Sequence, residues 1–313
     1  GAAAEAGERP VRTTYQTAGI TWRADYNLIL HDDETSADLG AWVSLLNLSG
    51  ATYENAQLKL IAGDVQRVEA QPQVRRMEMM ERAAAADAGG FEQQAFFEYH
   101  LYTLPRRTTI AQNTTQQITL FPTAHDVGVK KVLVYYGLPE AQHWGHFPQP
   151  RVDRGIGPQS NPKIDVYLQF ENSEDNNLGM PMPRGKVRVF KEDPADRSLE
   201  FVGEDLIDHT PRDEELLVKV GQSFDIVGER TQTNFTIDQR AHRMTETFRI
   251  QIRNHQDEPA EVLIKENLYR WTNWEITEAS DEYERIDART IHFPVQVDAR
   301  GQKTVTYTVL YTW

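Results

Sequence analysis

The stretch Val305-Thr306-Tyr307-Thr308-Val309-Leu310-Tyr311-Thr312-Trp313 decides the fold class. Val305, Tyr307, Val309, Tyr311 and Trp313 alternate with Thr304, Thr306, Thr308 and Thr312, giving one apolar, aromatic face and one β-branched polar face. A period of two sends successive side chains to opposite sides of a pleated strand, and branching at Cβ favours that backbone. The segment therefore reads as a strand with one face in a core. The same alternation runs through Ile20, Trp22, Ala24, Tyr26, Leu28 and Leu30, set against Thr21, Arg23, Asp25 and Asn27. It returns in Ile164, Val166, Leu168 and Phe170, set against Lys163, Asp165, Tyr167 and Gln169.

Turn chemistry punctuates these runs at Asp32-Asp33, Asn47 to Gly50, Gly63-Asp64, Asn176-Asn177, Asp193-Pro194, Asn254 to Pro259 and Arg300-Gly301. Helical periodicity is almost absent, so the amphipathic crossovers of a parallel α/β fold have no candidates. Short strands and frequent turns predict an all-β chain of two β-sandwich domains, the C-terminal one immunoglobulin-like. Three strand ends, Leu46-Asn47, Phe170-Glu171-Asn172 and Ile252-Arg253-Asn254, run into polar turns and hint at modular build-up. Convergent turn chemistry explains that pattern as well as duplication does.

Residues 138–162 hold Pro139, Pro148, Pro150, Pro158 and Pro162 with Gly145, Gly155 and Gly157. Proline removes ladder donors and glycine loosens the backbone, so the domain boundary is expected there. The division is a flexible 1–12, a first domain over 13–157 and a second over 158–313, with a separate module from about Asp225 as the alternative. Within the first domain, 71–92 breaks the rhythm. Met77, Met79, Met80 and Ala83 to Ala86 are good helix formers without a clean apolar stripe, so an irregular or partly helical excursion is expected there. A methionine-rich partner-binding helix is the sharper alternative.

Composition excludes several functions. With 33 Lys and Arg against 47 Asp and Glu, the formal charge of −14 repels phosphate backbones and anionic headgroups, so no nucleic-acid partner is expected. The pairs Arg75-Arg76, Arg106-Arg107 and Lys130-Lys131 read as solvated surface. No run approaches a transmembrane length. The absence of cysteine removes disulfides, thiolate zinc sites and cysteine nucleophiles. Gly1-Ala2-Ala3-Ala4 reads as a trimmed start, with a signal peptide expected ahead of it.

Candidate chemistry is sparse, and no cofactor is expected. His143-Trp144-Gly145-His146 with His125-Asp126 upstream is the one arrangement resembling a metal site, with His125, His143 and His146 as ligands. Gly145 and Pro148 argue against the helical turn that would make the imidazoles converge, so loop histidines are the plainer reading. There is no Gly-x-Ser-x-Gly elbow and no phosphate-loop or dinucleotide fingerprint. Acidic pairs such as Glu204-Asp205, Asp213-Glu214 and Asp257-Glu258 sit in polar, turn-like contexts and read as solvated. Tyr269, Trp271 and Trp274 form the densest aromatic cluster. Exposed, these rings would stack on sugars or on a partner; buried, they would fill a core or a domain junction.

Several stretches together resemble the C-terminal domain of unknown function of mucoidy-inhibitor-like proteins. They are Gly19-Ile20-Thr21-Trp22 with Tyr26, Asn47 and Gly50 leading into Tyr53-Glu54-Asn55-Ala56, and Leu60-Ile61-Ala62-Gly63. Further on come Pro183-Arg184-Gly185-Lys186-Val187-Arg188-Val189, Phe201-Val202-Gly203 and Gly221-Gln222-Ser223-Phe224-Asp225. The resemblance runs from about Thr13 to near the end. These motifs are structural, with glycines and an asparagine at strand ends, so they inform fold more than mechanism. Longer members carry an additional N-terminal domain and a coiled coil that this sequence does not include, and Tyr53 stands where tryptophan is frequent. The resemblance implies an exported bacterial protein and supplies no catalytic residues. The expected function is a non-enzymatic secreted, periplasmic or cell-envelope protein that binds another protein or a glycan through loops or sheet edges. The alternative is a hydrolase acting on envelope polysaccharide or protein through acidic residues or the three histidines.

Overall fold

The computed structural model describes residues 11–63, 83–85, 90–96, 99–145, 147–157 and 160–313. The first part of the chain supplies β1 (Ile20–Leu30), β2 (Ser36–Asn47), β3 (Tyr53–Ala56), β4 (Lys59–Ala62) and β5 (Ala83–Ala85). It continues through β6 (Glu92–Phe96), β7 (Tyr99–Thr103), β8 (Thr108–Ile110), β9 (Thr114–Gly128) and β10 (Lys130–Tyr136). After a 3-10 turn at Pro139–His143 come β11 (Lys163–Glu171), β12 (Gly185–Glu192), β13 (Leu199–Ile207), β14 (Glu215–Asp238) and β15 (Arg243–Asn254). The last strands are β16 (Ala260–Asn267), β17 (Trp274–Ala279), β18 (Glu284–Arg285), β19 (Thr290–Val297) and β20 (Gln302–Thr312). The chain is all-β. Apart from Ala83–Ala85 and Gly90 to Glu92, the excursion expected at 71–92 lies outside the described residues.

Two large sheets and two small ones carry these strands. The six-stranded sheet has the order β13-β12-β1-β2-β9-β5, and the nine-stranded sheet the order β17-β20-β15-β14-β11-β10-β16-β19-β18. Smaller sheets pair β3 with β8 and β4 with β7 and β6. Most neighbours are antiparallel, but β12 joins β1 in parallel, with Ala24 opposite Gly185, and β16 joins β10 in parallel. Strands from both sides of residue 157 enter both sheets. β10 lies between β11 and β16 in the nine-stranded sheet, while β12 and β13 extend the six-stranded sheet beside β1.

Alternation sets the burial. In β20, Val305, Tyr307, Val309 and Tyr311 are buried while Thr304 and Thr306 face water. Two cores result. The first gathers Tyr26, Leu28, Leu39, Val43 and Leu45 with Leu168, Phe170, Leu216 and Val218. In the second, the Tyr307 ring of β20 lies 5.4 Å from Phe248, its register partner on the adjacent β15, and 5.6 Å from Phe293 of β19, a strand far away in the order of the same sheet. β11 and β14 serve both cores. Ile164 and Ile226 lie in the second, while Phe170 and Leu216, further along the same two strands, lie in the first.

The strand-end asparagines are fully enclosed. Asn47 accepts the backbone N–H of Ser49 at 3.0 Å and donates to the carbonyls of Ala51 at 2.9 Å and Ile110 at 3.1 Å. Asn254 repeats the arrangement, accepting from Gln256 at 2.9 Å and donating to Glu258 at 2.7 Å and Asp298 at 3.2 Å. Asn172 does the same over a longer loop, accepting from Gly179 and donating to Met180 and Pro211. Each amide satisfies backbone groups of turns and strand ends, and removing it strands buried polar atoms. We expect Asn254→Ala and Asn47→Ala each to lower unfolding free energy by about 1–3 kcal/mol in urea titrations. Substitution of the exposed Thr306 by Ala should change it by less than about 0.5 kcal/mol.

Candidate functional site

A groove of about 530 Å³ opens on the six-stranded sheet, lined from β1 by Trp22, Arg23 and Asp25, from β4 by Ile61, from β12 and its approach by Arg184, Lys186 and Arg188, and from β13 by Leu206. Strand alternation builds it. Val187 and Val189 point into the first core, so Lys186 and Arg188 must point out, and the parallel register sets Lys186 opposite Asp25. Gly185 permits the close pairing, since a Cβ there would sit 2.3 Å from the Ala24 carbonyl oxygen.

Asp25 is the anchor of this surface. Buried to 4% exposure, its carboxylate accepts from Ser44 Oγ at 2.6 Å and Arg23 Nε at 3.1 Å, with Arg188 3.7 Å away. Glu204 of β13 takes Lys186 at 2.8 Å and lies 3.6 Å from Arg188. Arg184 lies 3.9 Å from the exposed Asp208, and its backbone N–H donates to His209 Nδ1 at 3.0 Å. That bond fixes His209 as the tautomer with its proton on Nε2 whenever the ring is neutral. Because Asp25 lies beneath the surface, the groove floor presents guanidinium and ammonium groups, while Glu204 and Asp208 are accessible at its side. Apolar side chains continue the same face. Leu206 is exposed, and Phe190 and Phe201 meet edge to face at 5.8 Å, with Phe201 still 57% exposed.

A second cavity of about 380 Å³ lies on the nine-stranded sheet, with Lys265, His292, Asp287, Arg289 and Gln142 around it and Arg230 and Glu266 at its base. Arg230 and Glu266 are each 2% exposed. Arg230 Nε donates to both Glu266 oxygens, at 2.8 and 3.1 Å, the Tyr307 hydroxyl donates to the same carboxylate, and Arg230 also donates to the Gly157 carbonyl at 2.8 Å. Burial alone would pull the guanidinium pKa down, but Glu266 raises it further, so Arg230 stays charged. Desolvation lowers the pKa of Lys265, and desolvation followed by the nearby Lys265 charge lowers that of His292. A neighbouring pair, Arg270 and Glu246, is fully enclosed. Arg270 Nε lies 2.8 Å from Glu246 Oε1 with its N–H directed off that line, an ion pair without a formal hydrogen bond. Its terminal nitrogens donate to the carbonyls of Arg151, Asp153 and Ile156 at 2.7–2.9 Å. Desolvation raises the pKa of Glu246.

The aromatic cluster is divided between core and surface. Tyr269 is buried, donates to the Ile156 carbonyl and leaves no room at Gly157, whose φ of +79° and contact with the Tyr269 hydroxyl require glycine. Trp271 and Trp274 are half-buried against the second core, where Trp274 Nε1 donates to Ala288 at 2.7 Å and Arg285 stacks 4.3 Å from its ring. His125 pairs with Asp38 at 2.8 Å on the six-stranded sheet, whereas His143 is exposed at the end of the 3-10 turn. His146 lies outside the described residues. Among the described residues, His125 and His143 do not join one ligand group. The groove cations escaped sequence reasoning although a signal was present: Arg184, Lys186 and Arg188 at spacing two within Pro183–Val189.

Residues 11–313 match the family model described as Domain of unknown function (DUF4139), and the chain belongs to that family. No curated protein matches it. Removing one member of a buried ion pair leaves the other charge without compensation, which costs about 3–5 kcal/mol. Arg270→Met should therefore lose about that much in chemical denaturation. Arg270→Met/Glu246→Leu should recover at least half of the loss, because no charge is then left unpaired.

Proposed function

We propose that this is a non-enzymatic, exported or cell-envelope protein that binds another protein through the cationic groove and apolar margin of its six-stranded sheet. One observation carries the reading: Arg184, Lys186 and Arg188 stand in accessible positions above a buried Asp25, continuous with exposed Leu206 and Phe201. A partner segment with alternating acidic and apolar side chains matches that surface in charge and in period. The packing of Tyr307 of β20 against Phe293 of the distant β19 supports a sandwich-like, immunoglobulin-style arrangement for the second core, a scaffold that carries recognition on its faces and loops.

The hydrolase alternative draws less support. A general acid or base has to be free to exchange a proton with substrate. Glu266 is held by Arg230 and Tyr307, and Glu246 by Arg270 and Gln232.

A fluorescein-labelled peptide of alternating Glu and Leu, followed by anisotropy, tests the proposal, with its Gln-for-Glu counterpart and an oligogalacturonate as comparisons. We expect the Glu peptide to bind, to weaken in raised salt, and to weaken at least about tenfold in Lys186→Ala/Arg188→Ala. Equal binding by the double variant, or preference for the Gln peptide, would defeat the reading. Cleavage of the oligogalacturonate would favour the hydrolase.

A further inference from the structure

Where β1, β2 and β9 meet, away from the groove, a bulge brings two histidines and two aspartates together. Ala37 pairs with Val127 and Leu39 with Ala124, so the single residue Asp38 faces both His125 and Asp126. Regular pleating would send those neighbours to opposite faces; a bulge re-aims them. Asp126 adopts φ +55° to complete it. His31, just beyond the end of β1, reaches the same point from the other side.

Asp38 is the hub. One of its oxygens lies 3.2 Å from His31 Nε2 and the other 2.8 Å from His125 Nδ1. The other ring nitrogen, His31 Nδ1, lies 2.9 Å from Ser36 Oγ and 3.9 Å from the Asp126 carboxylate, and the Asp126 backbone N–H donates to Asp38 at 3.2 Å. One ligand atom each from His31, Asp38 and Asp126 fall within 4.8 Å of one another. Bonds of about 2.0–2.1 Å to a tetrahedral ion separate ligand atoms by roughly 3.3 Å, so this trio would have to draw together, and His125, which now meets Asp38 alone, would have to turn to join it. Asp126 is 79% exposed and His125 67%, so both side chains are free to turn toward an ion without repacking the core.

We propose that His31, Asp38, His125 and Asp126 form a binding site for a divalent transition-metal ion, with zinc the best match. Two carboxylates balance the ion's charge. Two imidazoles select zinc-class ions over calcium and magnesium, which take all-oxygen sets. The neighbouring acids do not compete, since Glu34 is occupied by Lys131 and Lys191 and Asp33 by the backbone N–H groups of Thr35 and Ser36. The ion would tie β9 to the β1–β2 hairpin at a point where the ladder is interrupted.

The test is calorimetric titration of the EDTA-treated full chain with zinc and, separately, calcium, together with cobalt substitution read by visible absorption. We expect one zinc per chain, a rise in melting temperature, much weaker calcium binding, and the intense visible bands of tetrahedral cobalt. Asp38→Asn and His125→Ala should each weaken zinc at least about tenfold, while His143→Ala leaves it unchanged. Because Asp38 also supports the hairpin, His125→Ala, on an exposed side chain, keeps the test decisive if Asp38→Asn does not fold. Absence of saturable zinc binding, or one-to-one binding that His125→Ala leaves intact, would overturn the site. So would binding abolished by His143→Ala.

Discussion

Two guanidinium groups lie inside the second core, Arg230 at 2% exposure and Arg270 at none, and the organisation of that half of the molecule follows from keeping them satisfied. A buried charge needs an opposite charge and a partner for its donors. Glu266 and Glu246 supply the charge. Backbone carbonyls at Arg151, Asp153, Ile156 and Gly157 take most of the remaining donors. Those carbonyls belong to the Pro- and Gly-rich segment, whose described residues form no strand and therefore have acceptors to offer. The dependence is mutual, because the segment gains donors and the arginines gain acceptors. Phe248 under Arg230 at 3.7 Å and Phe235 under Arg270 at 4.8 Å give the cations apolar neighbours that still attract them. A stretch whose composition suggests a loose connection is thus fastened to the interior.

That fastening has a counterpart in the strands. β14 runs unbroken from Leu216 in the first core to Arg230 in the second, and β11 runs beside it. β12 and β13 leave the second half of the chain to flank β1, and Gly203 of β13 lets that edge rest on β14, where a Cβ would meet the Val220 carbonyl oxygen at 2.0 Å. Lys219 N–H closes the same junction by donating to Asp205 at 2.8 Å. The two cores therefore share the continuous backbone of β11 and β14.

Local rules carried far in the sequence, and they failed where distance entered. The alternation of Val305 to Tyr311 and of Ile164 to Phe170 names the inward residues because pleating is a property of neighbours. Asn47, Asn172 and Asn254 were legible as turn residues for the same reason. Nothing local reveals that Ala24 pairs in parallel with Gly185, since that contact closes a long loop and leaves no periodic trace. Proline and glycine in 138–162 pointed to missing ladder bonds, but the carbonyls' partners, Arg230 and Arg270, stand far along the chain. Strict alternation also hides a bulge, so His125 and Asp126 could not be seen to face Asp38 together. The cations of Pro183–Val189 were visible, but spacing two on a solvent face is what any exposed strand shows.

Charges inside this molecule and charges on its sheet face obey different economies. Within the second core each ion is committed, because releasing it from its partner would leave a charge in a medium that cannot solvate it. On the six-stranded sheet, Lys186, Arg188 and Glu204 are roughly one-third or more exposed, and such pairs contribute little to folding since water serves each ion nearly as well as its partner does. An incoming carboxylate can replace Glu204 beside Lys186 without a large loss to the fold, while Asp25 beneath continues to orient Arg23 and Arg188. In the proposed complex, recognition at such a surface would depend on exchange between equivalent partners, and would need neither a deep pocket nor a strained side chain. In that complex the apolar rings of Phe190 and Phe201 would provide what exchange of ions alone does not, a net gain from removing hydrocarbon from water.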